Sequence, residues 1–305
     1  MTEEEKEHAT AKDKEKAPGG PVYKTAGAPL ADYKNWQQDG VDDTHKCIIQ
    51  AIAGNEGWNH TGDLAGVQSY DKAVLSAGAM QKTIFPEKPK VTGGTGELAD
   101  QLADFKSANP TKYKSLFEDK GWTVSQVNGS NVAYFKDPNN PKMQPITGSA
   151  LQNYIRQCDG ANWEKTMKPW RDAGKDPDFQ SQQILDFHQR IEDTQNKKVK
   201  VGKTDFKIKD FITSSRGIAQ ITDQSVNSGP GSIKLTVRRA ITEFYKQNPK
   251  ASSDPTTWTD EQRGQYEPQI LDLYHSKRTG MTDGEKRWKK IQSSSCLSDD
   301  PGSMS

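Results

Sequence analysis

Apolar residues recur three and four positions apart along most of the chain, and this spacing is typical of amphipathic helices. Short polar residues stand where these helices would begin, and glycines stand where several of them would end. The predicted helices cover residues 43–55, 95–108, 110–120, 147–158, 162–173, 177–191, 206–226, 232–247, 260–277 and 284–292. The pattern therefore predicts a mainly α fold, built as two helical lobes or as one elongated bundle.

One segment departs from the helical pattern. Residues 124–135 hold two short runs of β-prone residues on either side of Asn128-Gly129. Asn-Gly between such runs is a strong signal for a β-hairpin, because both residues accept the positive φ that a tight turn requires. We expect a small hairpin inserted into a helical fold.

Composition limits the class of protein. The chain has 305 residues, a formal net charge of +1 and a mean hydropathy of −0.94. A net charge near zero gives no field that would attract nucleic acid or a membrane surface. Seven Trp, nine Tyr and nine Phe supply enough apolar area for a core, and no apolar run approaches the roughly 20 residues that span a bilayer. We expect a globular protein of one large domain or two ordinary ones.

Both ends of the chain are polar. Residues 1–28 are charged and then rich in Pro and Gly, and residues 293–305 are rich in Ser and Asp. Both segments are predicted to be disordered tails, since they offer little to bury. The N-terminal residues lack the apolar core of a secretory signal. We therefore expect synthesis in the cytoplasm, with release by a dedicated machine or by lysis if the protein acts outside the cell.

The cysteines and histidines do not suggest a metal site. Cys47, Cys158 and Cys296 are widely spaced, and no Cys/His ligand spacing is present. Cys47 and Cys158 lie in apolar helical patterns and are interpreted as small buried hydrophobic residues; a disulfide between them stays open. The five histidines are predicted not to cluster, so no metal and no cofactor is expected.

The most informative chemistry lies in residues 48–81. An apolar helix ends at Glu56, a loop rich in Gly, Asn and Asp follows, and Asp71 comes 15 residues after Glu56. The negative end of the helix dipole and burial both favour the protonated form of a carboxyl group. Hydrolysis of a glycosidic bond needs two carboxyl groups that flank the bond. One of them is protonated, and the other is a carboxylate. Glu56 and Asp71 are therefore candidates for such a pair.

The pattern around these two acids resembles a known catalytic segment. Glu56-Gly57, Asp71, Ser76, Gly78 and Gln81 are similar in order and spacing to the segment of the lysozyme-like superfamily in which a Glu ends a helix. In that family the second acid opens a D-x-x-x-x-[ST]-x-G segment that runs into a small β element. The closest likeness is to the chitosanase-type branch and to phage or bacterial peptidoglycan hydrolases.

The resemblance implies a lysozyme-like domain over residues 29–292, with lobes at about 29–145 and 146–292. It implies that Glu56 is the general acid and that Asp71 is the general base or orients the water, in an inverting reaction. Trp58 is a candidate for stacking on a sugar ring, and Asp63 competes with Asp71 for the role of second acid. Further substrate contacts are predicted at Ser76, Gln81 and Asp223.

The function implied is cleavage of β-1,4 bonds in peptidoglycan glycan strands, by an endolysin or an antibacterial effector. An effector would have an immunity protein or a secretion-apparatus carrier as partner and would act on the cell wall of its target. The alternatives are a chitosanase and a non-catalytic glycan-binding or injection-machine component. The ordinary roles of these residues also stay open: an exposed Glu at a helix end, and an Asp that caps the next segment.

Overall fold

The computed structural model describes residues 24–25, 27–56, 62–69, 73–87, 92–156 and 161–304. The helices are α1 Asp43–Glu56, α2 Glu97–Ala108, α3 Pro110–Leu116, α4 Gly148–Arg156, α5 Ala161–Thr166, α6 Lys168–Ala173, α7 Pro177–Asn196, α8 Ile208–Phe211, α9 Ser215–Ser228, α10 Ser232–Gln247, α11 Asp260–Lys277 and α12 Gly284–Gln292. The strands are β1 Lys24–Thr25, β2 Val67–Gln68, β3 Leu75–Ala77, β4 Lys82–Ile84, β5 Trp122–Val127, β6 Ser130–Phe135, β7 Lys198–Val201 and β8 Thr204–Lys207.

The mainly helical fold and the small hairpin are confirmed. Strands β5 and β6 pair antiparallel from Trp122–Phe135 to Val127–Ser130, on either side of a two-residue turn. Both turn residues have positive φ, 51° at Asn128 and 80° at Gly129, as the Asn-Gly signal requires. None of the described helices has the length and apolar character needed to cross a membrane.

Two of the predicted helices differ in the structure. The segment 162–173 forms two helices, α5 and α6, because Pro169 lacks the backbone N–H that a continuous helix would use. The segment 206–226 begins in strand β8, continues through the single turn of α8, and becomes a longer helix only at Ser215. Strand β7 pairs with β8 through a turn in which Gly202 has a φ of 60°.

The chain divides into two compact units. Unit 1 comprises residues 1–34 and 56–185, and unit 2 comprises residues 35–55 and 186–305. The division is therefore discontinuous in sequence, and it lies elsewhere than the boundary near residue 145 that the sequence predicts. Helix α1 contributes to unit 2 up to Asn55, and unit 1 resumes at Glu56.

The core of unit 1 is built around aromatic side chains. The Trp170 ring lies 4.9 Å from Phe117 and 5.2 Å from Trp122, centroid to centroid, and Phe117 lies 5.2 Å from Phe179. The indole N–H of Trp122 donates to the carbonyl of Thr166 at 2.8 Å, so the buried ring keeps its polar group paired. Trp122, Trp163 and Trp170 are at most 1% exposed, which makes them core residues.

Unit 1 also contains a four-stranded antiparallel sheet in the order β1-β2-β3-β4. Strand β3 is internal: Ser76 lies opposite Gln68 of β2 and Thr83 of β4. Every residue of β3 is buried, so the sheet contributes to the core. Strand β1 extends the sheet into residues 24–25, which the sequence places in a disordered tail.

The core of unit 2 is helix α9, whose residues 215–225 are all buried. Apolar residues such as Ile218 account for part of this face, but Arg216 is buried as well. The Arg216 guanidinium donates to the carbonyls of Ile291, Gln292, Ser294 and Leu297 and pairs with Asp299. Residues 293–304 therefore pack on α9, with Leu297 4% exposed, in place of the disordered tail that the sequence predicts.

Candidate functional site

Glu56 is the last residue of helix α1, as the sequence predicts, and its side chain is partly buried. The helix begins with Asp42, whose carboxylate accepts the backbone N–H of His45 at 2.7 Å. Asp42 is thus the N-cap of the helix that carries Glu56. The second candidate acid Asp71 and the candidate stacking residue Trp58 lie outside the described residues.

Cations hold the carbonyl groups of the last turn of α1. Arg287 donates to the carbonyl of Asn55 at 3.2 Å, and Lys290 donates to the carbonyl of Gly54. These carbonyls have no partner within the helix, so the two side chains from α12 act as a C-terminal cap. Burial lowers the pKa of Lys290, and the neighbouring charges of Lys286 and Arg287 lower it further. The cap fixes the backbone that leads directly into Glu56.

Asp223 supports this cap from inside unit 2. Its side chain is fully buried, and its two carboxylate oxygens accept from Arg287 at 2.6 and 3.1 Å. Asn55 also donates to Asp223, at 3.1 Å. All these contacts are internal to the protein, so in the described structure Asp223 positions the end of α1, and the substrate contact at Asp223 stays a prediction.

Asp63 is likewise engaged by the backbone. Its carboxylate accepts the N–H groups of Gly27 at 2.9 Å, Ala28 at 3.2 Å and Ala65 at 2.8 Å. The residue is 6% exposed. The carboxylate anchors residues 27–28 beside the sheet, which explains why the end of the predicted N-terminal tail is part of the fold. The role of Asp63 as a competing second acid or a substrate contact stays a prediction.

Ser76 lies on strand β3, and Gln81 lies in the turn between β3 and β4. Gln81 has a φ of 49° and donates its side-chain amide to the carbonyl of Gly78 at 2.7 Å. The Ser76 hydroxyl and the Gln81 Oε1 are buried and find no hydrogen-bond partner within the part of the chain that the structure describes. The hydrogen-bonding capacity of these two oxygen atoms is therefore unused among the described residues.

Two histidines come together in unit 2, contrary to the prediction that the histidines do not cluster. The rings of His45 on α1 and His188 on α7 are 4.5 Å apart, centroid to centroid, and perpendicular to one another. Glu192, one helical turn after His188, brings Oε1 to 3.4 Å from the Nε2 of His45. The spacing His-x-x-x-Glu places both side chains on one face of a helix, and it is a signal that the sequence contains.

The described part of the site presents a group that can take part in acid–base chemistry. It holds one carboxyl group, Glu56, at a helix end that is fixed by a buried ion pair, followed in the chain by an antiparallel sheet. A carboxyl group held in this way can donate or accept a proton in a reaction. Protein-family models, curated proteins and solved structures were compared with the chain, and none matches it.

Proposed function

We propose that the protein is a glycoside hydrolase that cleaves the glycan strands of peptidoglycan, with Glu56 as the general acid. The observation that supports this most is topological. Helix α1 ends at Glu56, and the next described elements are the antiparallel strands β2, β3 and β4. Asp71 falls in the connection between β2 and β3, so the segment that begins at Asp71 runs into a small β element. This is the arrangement that the resemblance to lysozyme-like enzymes implies.

The local contacts give Glu56 a fixed backbone. The carbonyls of Gly54 and Asn55 are held by Lys290 and Arg287, so the end of the helix cannot fray without breaking these bonds. A general acid must hold its proton within hydrogen-bond distance of the leaving oxygen, and a small displacement costs much of the rate. In this proposal Glu56 protonates the glycosidic oxygen while Asp71 activates the attacking water.

The test is digestion of purified peptidoglycan with the wild type, Glu56→Gln and Asp71→Asn, followed by mass spectrometry of the released fragments. We expect glycan fragments with new reducing ends from the wild type and a loss of at least a hundredfold in both variants. Glu118→Gln is the matched control, since Glu118 is an exposed acid in unit 1. It should retain wild-type activity. The anomeric form of the fresh product, observed by NMR, reports whether the reaction inverts the configuration.

Other outcomes have distinct meanings. Fragments cut in the peptide stems would refute the glycosidase. Cleavage of chitosan but not of peptidoglycan would keep Glu56 as the acid and change the substrate. Binding to glycan without any product, unaltered in Glu56→Gln, would indicate a non-catalytic binding protein. Thermal unfolding of each variant must match the wild type for a loss of activity to be assigned to chemistry.

A further inference from the structure

The cluster of His45, His188 and Glu192 has the composition and proximity of a metal-binding site. One ligand atom from each residue lies within 4.8 Å of those of the other two. Imidazole nitrogens with a carboxylate oxygen are a donor set that Zn²⁺ and other first-row divalent cations prefer. The three residues come from α1 and from the part of α7 that belongs to unit 2, so the cluster depends on the fold of that unit.

The Nε2 atom of His45 is the strongest single indication. His45 is 8% exposed, and its Nε2 is buried with no hydrogen-bond partner among the described residues. A buried nitrogen left without a partner costs free energy. The Oε1 of Glu192 lies 3.4 Å from this nitrogen, which is longer than the charge-assisted bond of about 2.7–2.9 Å that an imidazolium would form. The Nε2 of His45 and the Oε1 of Glu192 are thus separated by more than the length of a strong hydrogen bond.

The size of that gap fits a shared cation. Two ligands at about 2.1 Å from a tetrahedral Zn²⁺ lie roughly 3.4 Å apart. The separation of 3.4 Å between Nε2 of His45 and Oε1 of Glu192 equals such an edge. His188 also offers a ligand atom within 4.8 Å of those of the other two residues, so a movement of its ring toward them would complete the set. A fourth position would be open to water.

Asp42 orients His45 for this purpose. The Nδ1 of His45 lies 2.8 Å from Oδ2 of Asp42, while Oδ1 of the same carboxylate caps helix α1. A carboxylate that accepts from Nδ1–H fixes the tautomer in which Nε2 carries a lone pair, and metal-binding histidines use this arrangement. In a metal site built here, Asp42 would be a positioning residue, and the candidate ligands would be His45, His188 and Glu192.

We propose that these three residues bind one Zn²⁺ or a similar divalent transition-metal ion and so tie the start of α1 to α7. The site is independent of the glycosidase proposal, because none of its residues belongs to the Glu56 site. Its ligand is a borderline divalent cation, held by two imidazoles and one carboxylate. The ion joins two helices, so its direct effect is on the stability of unit 2.

The test is a titration of the full-length protein, without an affinity tag and freed of metal by chelator, with ZnCl2 against a competing chromogenic chelator. We expect one equivalent to bind, and we expect His188→Ala and Glu192→Gln each to lower the affinity at least tenfold. Excess ZnCl2 should raise the thermal midpoint of the wild type and leave that of His188→Ala unchanged. Asp42→Asn retains a helix cap and should lower the affinity about 10–100-fold, with the metal-free midpoint unchanged.

Two controls make the result specific. His275 also pairs with a glutamate, Glu285 at 3.0 Å. The described residues place no third ligand beside this pair, so His275→Ala should bind zinc as the wild type does. The triple variant Cys47→Ser/Cys158→Ser/Cys296→Ser removes all three thiols as competing ligands and should also bind normally. The proposal is overturned if the wild type binds no zinc, if binding survives both His188→Ala and Glu192→Gln, or if it is lost with the cysteines.

Discussion

Arg287 and Asp223 form a buried ion pair that links helix α12 to helix α9. The Arg287 side chain is 7% exposed and that of Asp223 is 0% exposed, and their closest atoms are 2.6 Å apart. Arg287 also donates to the carbonyl of Asn55 at the end of α1. The pair thus connects three helices of unit 2 at the point where the chain leaves for Glu56.

Arg287→Met is expected to destabilise the protein by about 3–5 kcal/mol, because it leaves the Asp223 carboxylate buried without its cation. Urea unfolding followed by circular dichroism measures this loss. The double variant Arg287→Met/Asp223→Leu removes both charges and should be less destabilised than the single variant. If the free energy of unfolding of Arg287→Met falls by less than about 1 kcal/mol, the ion pair does not stabilise this region.

Asp63 gives a prediction that separates structure from catalysis. Asp63→Ala leaves the N–H groups of Gly27, Ala28 and Ala65 without their acceptor, and the expected loss of stability is about 2–4 kcal/mol. Asp63→Asn keeps one acceptor oxygen, so it should be less destabilised and should retain hydrolytic activity. A folded Asp63→Asn protein without activity would instead place Asp63 in the reaction, as the competing second acid.

Gly78 and Gly129 share a backbone conformation but differ in how closely other atoms pack around them, so a comparison of the two isolates the effect of packing on stability. Both have a left-handed φ, 79° and 80°. A Cβ on Gly78 would lie 2.2 Å from the Oε1 of Gln183, whereas one on Gly129 would meet nothing within 4 Å. Gln183 is itself fixed, because its Oε1 accepts from Ala79 and its amide donates to Leu64.

Gly129→Ala should therefore cost only the strain of the left-handed backbone, about 1–2 kcal/mol. Gly78→Ala should cost more than this, since it must also displace the buried Gln183 amide. The comparison uses urea midpoints of the two variants and the wild type. Equal losses would show that Gln183 yields at little cost.

The sequence predicts the long helices well, because each carries several turns of apolar spacing that fix its period. The hydrophobic pattern does not predict strands β1 to β4, which are two or three residues long and show no readable alternation. Only the resemblance implies a small β element after Asp71. The sequence also makes Asp63 a candidate second acid and Asp223 a candidate substrate contact, because each is interpreted as a polar residue in a loop. Their partners lie 36 and 64 residues away, so only the fold shows that the two carboxylates are internal.

The His45 cluster was missed for the same reason. His188 and Glu192 are one helical turn apart, and this spacing can be read from the sequence. His45 lies far from them along the chain, and only the packing of α1 against α7 brings it within 3.4 Å of Glu192. By contrast, the position of Glu56 at the helix end was predictable, since the helix period and Gly57 define it locally.

The thiol of Cys47 is expected to react slowly with alkylating reagents. Burial raises its pKa to about 12, and a hydrogen bond with Cys296 acts in the same direction. In the unfolded chain a cysteine ionises near pH 8.5, so above that pH the unfolded state releases a proton that the folded state keeps. This contribution to stability is therefore full below about pH 8.5 and declines as pH rises toward 12.

Alkylation by iodoacetamide at pH 9, resolved for each cysteine by peptide mapping, checks this. Cys47 should react at least tenfold more slowly in the folded protein than in urea, because the thiolate is the reactive form. Cys296→Ser removes the neighbouring thiol and should speed the reaction of Cys47. Equal rates in the folded and unfolded protein would contradict the raised pKa.

The contacts of Arg216 also determine when unit 2 can assemble during synthesis. The buried helix α9 needs the carbonyls of residues 291–297 to pair the Arg216 guanidinium. A ribosome covers the most recently made residues, so these partners become available only after residues 291–297 have left it. Unit 1 is complete at residue 185 and can fold while the chain is still growing. Unit 2 contains most of α1, which is made early, and the partners of Arg216, which are made late, so it can assemble only after residues 291–297 have left the ribosome.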